Sequence, residues 1–248
     1  MSKIQLYQGD CLEIMQQLID QQIKVDAIIT DPPYGTTACK WDSAIPFEPM
    51  WNCLNKLIKE NGAIVLFGNE PFTSTLIASN IKSFKYRINW DKVIPSGMGY
   101  AKYRPMSQIE DICIFSKNGG KVVYNPQMTK RDKPIQSGGN TKPAGVYGGF
   151  KCIGVGKEYK KTYEYKNPTT LIKFDKIRRG AIHPTQKPID LMEYLIKTYS
   201  NQGDTILDFT MGSGTTGVAC QSLNRNFIGI ELDPTYYEIS CERLHYTM

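Results

Sequence analysis

The chain alternates short apolar runs with stretches whose apolar residues recur at helical spacing. Ile4 to Asp10 alternates as a strand, and Leu12, Met15, Leu18 and Ile19 follow on one helix face. Val25 to Thr30 is an apolar, β-branched run, the pattern of a strand buried on both faces. Phe47 to Lys59 reads as a helix stopped by Asn61-Gly62, and Ala63 to Phe67 as another buried strand. Phe72 to Ile81 reads as a helix, and Tyr86 to Trp90 and Ile109 to Ser116 as strands. After a long interruption the alternation resumes. Helices over Ile189 to Tyr199, Thr215 to Leu223 and Pro234 to Leu244 enclose strands over Asp204 to Phe209 and Asn226 to Leu232. Such repeated alternation predicts a mostly parallel α/β sheet.

The interruption changes the picture. From Lys117 to about Gly180 no period is sustained, and glycines, lysines and tyrosines are interleaved. Lys117 to Arg179 holds fifteen Lys and Arg against four Asp and Glu, in a chain whose net charge is +6. The expected organisation is therefore an α/β domain in two halves, 1–117 and 181–248, split by a basic insertion at 118–180. A solvated insertion is one reading of that segment. A nucleic-acid surface is the favoured one, with basic residues neutralising phosphates and aromatic rings stacking. Lys130, Arg131, Lys142, Arg178 and Arg179 are its candidate DNA contacts, joined by Lys102 and Arg104 in the similar loop from Ser96 to Arg104.

The rest of the composition excludes more than it identifies. With 248 residues, 41% hydrophobic and 22% charged, the chain has ordinary globular proportions. No apolar run approaches the ~18 residues that span a bilayer, and the strand pattern starting at Ile4 leaves no room for a signal peptide. Seven scattered cysteines without a C-x-x-C pair, and only two histidines, point to reduced thiols in a cytoplasm and to no metal site.

Two stretches carry candidate chemistry. The strand from Val25 runs into Asp31-Pro32-Pro33-Tyr34. Two prolines end a strand and force a rigid extended turn. At the carboxyl end of a parallel strand that turn aims Asp31 and Tyr34 into the crevice where such sheets bind ligands. The Asp31 carboxylate and the Asp31 and Pro32 carbonyls form an acceptor cluster suited to an –NH2 group, and Tyr34 offers a ring to stack on its bearer. A capped strand end with an ordinary Pro-Pro turn is the alternative these residues leave open. The second stretch is Gly212-Ser213-Gly214-Thr215-Thr216-Gly217, between a strand and a helix, with Glu231 ending the next strand. Glycines there admit a ligand close to the backbone, and a carboxylate such as Glu231 can hold ribose hydroxyls. A nicotinamide cofactor would fit this pattern and makes an NAD-dependent oxidoreductase the rival of different class. Asp208 argues against it, since a carboxylate ahead of the glycines repels pyrophosphate but can bind an ammonium.

Asp31-Pro32-Pro33-Tyr34 resembles the catalytic tetrapeptide of the DNA amino-methyltransferases, which methylate adenine N6 or cytosine N4 with S-adenosylmethionine. Asp208-Phe209-Thr210-Met211-Gly212-Ser213-Gly214-Thr215-Thr216 resembles that family's cofactor signature, although many members have Pro-Phe after the Asp. His183-Pro184-Thr185-Gln186-Lys187-Pro188 and Gly9-Asp10-Cys11 are similar to two further family elements. The motif order matches the β arrangement, a Rossmann-like, seven-stranded, circularly permuted methyltransferase fold. The resemblance covers nearly the whole chain outside Asn118 to Gly180.

The resemblance implies that Asp31, Pro32, Pro33 and Tyr34 act on a flipped base. It assigns Asp10 and Cys11 to the cofactor's adenine, Glu231 and Leu232 to its ribose, and Asp208, Thr185 and Lys187 to its methionine end. Phe209, Gly212, Ser213, Gly214, Thr215 and Thr216 form the wall, and His183 is read as a turn residue. Adenine leads cytosine, because cytosine enzymes of the family more often have Ser where Asp31 stands. The implied partner is double-stranded DNA, with a homodimer and a cognate restriction endonuclease as further expectations, in a bacterial, archaeal or phage-encoded setting.

Overall fold

The computed structural model describes residues 2–35, 44–136, 162–177, 180, 182–183 and 185–246. The candidates Lys142, Arg178 and Arg179 lie outside them. In chain order the elements are β1 (Ile4–Gln8), α1 (Cys11–Asp20), β2 (Val25–Thr30), α2 (Phe47–Leu57), β3 (Ile58–Gly68), α3 (Phe72–Ser79), β4 (Phe84–Ser96), β5 (Ser107–Ser116), β6 (Thr129–Gln136), β7 (Thr162–Lys166), β8 (Leu171–Lys173), α4 (Ile189–Tyr199), β9 (Thr205–Asp208), α5 (Thr215–Ser222), β10 (Asn226–Glu231) and α6 (Pro234–Arg243).

One compact unit comprises Met1–Asn125 and Thr169–Met248, and a second comprises Pro126–Pro168. The first unit thus reaches further into the basic segment than 117 and 181. The Asn125 amide donates to the Lys197 and Ser200 carbonyls at the end of α4, and β8 pairs with β4. The second unit contains the antiparallel pair β6–β7. Every described residue of β7, and all but one of β6, is exposed. Strands without a buried face have no reason to alternate, and no period marks these positions in the chain.

The first unit is built on a sheet of order β1-β10-β9-β2-β3-β5-β4-β8. The five strands from β1 to β3 are mutually parallel, and β5 runs antiparallel to both its neighbours. Seven strands follow the expected arrangement, and the eighth, three-residue β8 is an added edge. Burial alternates by face. Ala63, Val65 and Phe67 of β3 join a core with Leu191, Leu195 and Tyr199 of α4 and with α5 and α6. Ile64 and Leu66 join the opposite core, with Met15 and Leu18 of α1, Leu54 of α2 and Leu76 of α3. Each fully buried aliphatic side chain contributes about 1.5–3 kcal/mol, so this doubly covered sheet is the rigid frame of the site.

β4 extends past Trp90 to Ser96, and the boundary between α2 and β3 also differs from expectation. α2 ends at Leu57 and the chain enters β3 at once, rather than stopping at Asn61-Gly62. The pairing of β3 with β2 slips between Val25 and Ala27, which absorbs Asn61 and Gly62 as an irregularity. A Cβ at Gly62 would lie 2.7 Å from the Asp26 carbonyl oxygen. The glycine therefore serves close strand approach, not helix termination.

Candidate active site

β2 and β9 are neighbours, although Thr30 and Asp208 at their ends are 178 positions apart. From β2 the chain turns toward α2, and from β9 toward α5, on opposite faces of the sheet. This is the topological switch point, where a crevice opens beyond the carboxyl ends of the strands. The two chemical stretches meet there. Thr30 Oγ1 donates to Asp208 Oδ1 at 2.6 Å, and Thr210 Oγ1 donates to the Asp31 carbonyl at 3.0 Å. Neither threonine was singled out from sequence. Both are polar at the end of an apolar run, a signal too common to use.

Asp208 is buried, its Oδ2 accepting from Thr216 Oγ1 at 2.5 Å. Burial pushes its carboxyl up to about 6, against the pull of the Thr216 and Thr30 hydroxyls. The folded protein therefore holds this proton more tightly than the unfolded chain does. The contribution of Asp208 to stability is expected to fall as pH rises from about 4 to about 6 and to stay level above that. Urea unfolding across this window checks it: Asp208→Asn should lose that part of the pH slope.

Beyond β9, Gly212 and Gly214 have φ of +52° and +75°. A Cβ at Gly214 would stand 3.0 Å from that of Ser240 in α6, so the turn requires glycine on both counts. Gly212 N donates to Glu231 Oε2 at 2.8 Å, and Asp233 N to Glu231 Oε1 at 2.9 Å. The carboxylate at the end of β10 is thereby fixed toward the turn. Its pKa is raised by burial, which these amide bonds oppose. Asp10 caps α1, its Oδ1 accepting from Leu12 N and Glu13 N. The neighbouring Cys11 thiol is pushed up to about 12 by burial and by Asp10, and so stays protonated.

At the end of β2, Tyr34 O–H donates to Asp31 Oδ1 at 2.5 Å, and Lys187 Nζ donates to Oδ2 at 2.5 Å. Lys187 also lies 2.8 Å from Glu110 Oε1, and Lys92 3.6 Å from Glu110 Oε2. Burial raises the Asp31 carboxyl, with the Lys187 charge pulling down. Burial acts to lower the Lys187 ammonium, but Asp31 and Glu110 outweigh it and hold it above the ordinary lysine value. The Tyr34 ring stacks on Phe72 with centroids 4.9 Å apart. His183 Nδ1 accepts from Thr185 N at 3.2 Å across a turn, and burial lowers the ring to about 4, so it is neutral.

The ends of β1, β2, β9 and β10 and the turn from His183 to Lys187 line one cavity of about 330 Å³. Every candidate for catalysis or cofactor binding contributes to its wall except Gly214, the glycine of the turn that approaches Ser240 of α6. Lys187 lies on the catalytic side, on Asp31 and Glu110. Glu110 was missed, because its place in the site follows from β5 pairing beside β3, a long-range choice. Lys102 and Arg104 are exposed in the β4–β5 connection of the first unit, where Arg104 lies over the Tyr100 ring at 5.3 Å. Lys130 and Arg131 are on β6 of the second unit, where Arg131 Nε donates to the Tyr165 carbonyl.

Comparison with known proteins decides the family. The family model described as DNA methylase, of the N6/N4 type, matches residues 25–242. The chain belongs to that family. The Type II methyltransferase M1.MboII of Moraxella bovis is 31% identical to this methylase over 253 residues, covering 93% of the chain and 92% of the relative. The DNA adenine methyltransferase YhdJ of Escherichia coli (strain K12) is 28% identical, covering 95% and 81%. The crystal structure of the M1.HpyAVI–SAM complex superposes on the methylase with a TM-score of 0.67 at 30% identity, covering 97% of this chain and all of that one. The cytosine-N4-specific PvuII methyltransferase shares the fold, with a TM-score of 0.66 at 16% identity over 98% and 86%. The methylase is thus an enzyme acting on DNA, and the nicotinamide reading falls. Among the described residues no helix is long and apolar enough to cross a membrane.

Proposed function

We propose that this chain transfers a methyl group from S-adenosylmethionine to adenine N6 in double-stranded DNA. The observation that carries the reading is the junction of the two motifs: Thr210, two residues past Asp208, donates to the Asp31 carbonyl at 3.0 Å. That contact brings an amine-binding cluster and a cofactor turn to one cavity. The cavity suits the cofactor, whose ammonium and sulfonium outnumber its one carboxylate. Asp10, Asp31, Asp208 and Glu231 give the wall an acidic character, and about 330 Å³ is within the usual range for a small-molecule site.

S-adenosylmethionine, the ligand of the M1.HpyAVI complex, supplies an electrophilic methyl when bound. Asp10 would accept from its adenine amine, Glu231 from its ribose hydroxyls and Asp208 from its ammonium, with Thr185 serving the carboxylate end, while Lys187 is held on Asp31 and Glu110 instead. A base inside a duplex cannot reach this cavity, so the target is extruded. Asp31 and the Pro32 carbonyl then accept the two amine hydrogens, which turns the nitrogen lone pair out of conjugation and toward the methyl. Tyr34 stacks on the base. Asp31 would take the amine proton that the transfer releases. Most of the acceleration comes from positioning, for which effective molarities reach about 10⁵ M or more.

Methylated DNA digested to nucleosides and weighed by mass spectrometry tests the reading. N6-methyladenine is expected, whereas N4-methylcytosine, or no modification, would overturn it. The basic residues give a second expectation. Lys102→Ala and Arg104→Ala should each weaken DNA binding alike on all sequences and lower the slope of log K against log salt by about 1; a fluorescence titration over salt measures it. The same reading gives the chain two protein partners, a second copy of itself and a cognate restriction endonuclease. The Type II name of M1.MboII supports the second, and sedimentation of the purified chain tests the first.

A further inference from the structure

Both carboxylate oxygens of Asp31 are already taken. Tyr34 O–H occupies Oδ1 and Lys187 Nζ occupies Oδ2, each at 2.5 Å. Each oxygen keeps a second lone pair, but an amine hydrogen accepted at Oδ2 would share that oxygen with an ammonium. Stripping an ammonium from a carboxylate in a poorly solvated pocket is costly unless another acceptor takes it. Both donors have the same second acceptor. Glu110 Oε1 lies 2.8 Å from Lys187 Nζ and 3.5 Å from the Tyr34 hydroxyl oxygen. Lys92 Nζ, 3.6 Å from the other oxygen, keeps Glu110 from following the lysine. The side chains of Lys187, Lys92 and Glu110 are only 10%, 10% and 12% exposed. Two carboxylates and two ammoniums thus form a neutral quartet, and the methyl transfer described above uses neither Glu110 nor Lys92.

We propose that Glu110 is a positioning residue for methyl transfer: it receives Lys187 from Asp31 as the target amine enters, freeing Oδ2 to accept an amine hydrogen. The consequence is electrostatic. As the N–C bond forms, positive charge moves onto the nitrogen. An ammonium still seated on Asp31 would oppose it at contact distance. Held on Glu110, with its charge over the Phe67 ring at 4.9 Å, the ammonium remains paired while Asp31 faces the amine alone. The groups bearing on Asp31 are Tyr34 beside it, Lys187, Glu110 of β5 and Asp208 of β9.

The inference rests on the amine-methyltransferase reading, and the experiment separates the two. If the wild-type chain methylates no DNA amine, that reading fails first. If it does, kcat at saturating DNA and cofactor is compared among Glu110 variants. Glu110→Gln, which keeps the shape and removes the charge, is expected to lower kcat about 10–100-fold, with the calorimetric affinity for S-adenosylmethionine unchanged. Glu110→Asp, which keeps the charge, should retain more activity than Glu110→Gln. A glutamine variant equal to wild type, or better than the aspartate variant, would overturn the proposal. Adding Lys187→Met to Glu110→Gln leaves Asp31 and Lys92 balanced and nothing to hand over, so kcat should rise above that of the single variant. Losses that simply multiply would again overturn it. Should Glu110→Gln fail to fold, the double variant decides alone: kcat within about tenfold of wild type supports the hand-over, and a larger loss sinks it.

Discussion

Asp31→Ala is expected to lower methyl transfer by at least about 10³-fold while S-adenosylmethionine still binds. The magnitude follows from the role proposed for the side chain at the reacting nitrogen. A preorganised acceptor for charge that develops in the transition state is worth about 10²–10³ in rate. The substitution also leaves the Lys187 ammonium without one of its two carboxylates, placing a poorly balanced cation where the amine must become positive. In the proposed reading, ground-state cofactor binding depends on groups at the other strand ends, Asp208 and Glu231, so it should change little. Single-turnover transfer of a labelled methyl group, beside a calorimetric titration of the cofactor, separates the two quantities. Transfer at the wild-type rate would remove Asp31 from the chemistry. Loss of cofactor binding in parallel would show that its role is to hold the cavity together.

How much of this was legible beforehand varies with the range of the interaction that decides it. Strands such as Ile64–Phe67 are covered on both sides, and a continuous apolar run says so without any partner being known. Pro32-Pro33 ends a strand by its own covalent structure, and the left-handed glycines 212 and 214 mark their turn for an equally local reason. Asn61-Gly62 misled because its usual meaning is also local, whereas in the fold the register slip between β2 and β3 claims it. Glu110 shows the limit most clearly. Within Ile109 to Ser116 it is one polar residue on a strand. It becomes part of the site only because β5 lies against β3 and Lys187 arrives from far along the chain. β6 and β7 stayed hidden for the opposite reason, since exposed strands bury nothing that could be patterned.

The second large effect is expected at the cofactor end. Asp208→Ala should weaken S-adenosylmethionine binding by about 10–100-fold, the worth of one charge-assisted hydrogen bond in a buried site. Two causes are mixed in that loss. The carboxylate faces the cavity as an anion, and it also accepts from Thr30 and Thr216, so its removal takes one acceptor from each of two hydroxyls where β2, β9 and α5 converge. Asp208→Asn separates them. It retains an acceptor for a threonine and restores most of the packing, but offers no charge to an ammonium. If charge is what binds the cofactor, the asparagine variant should melt close to wild type yet bind about as weakly as the alanine variant. The wild-type carboxyl titrates at about 6, and only its ionised form can pair with an ammonium. Wild-type affinity should therefore fall as pH drops below about 6, with proton release on binding there, while the asparagine variant stays flat across the same range. Calorimetry in two buffers of different ionisation enthalpy would detect the released proton directly, and its absence would assign the ammonium to another group.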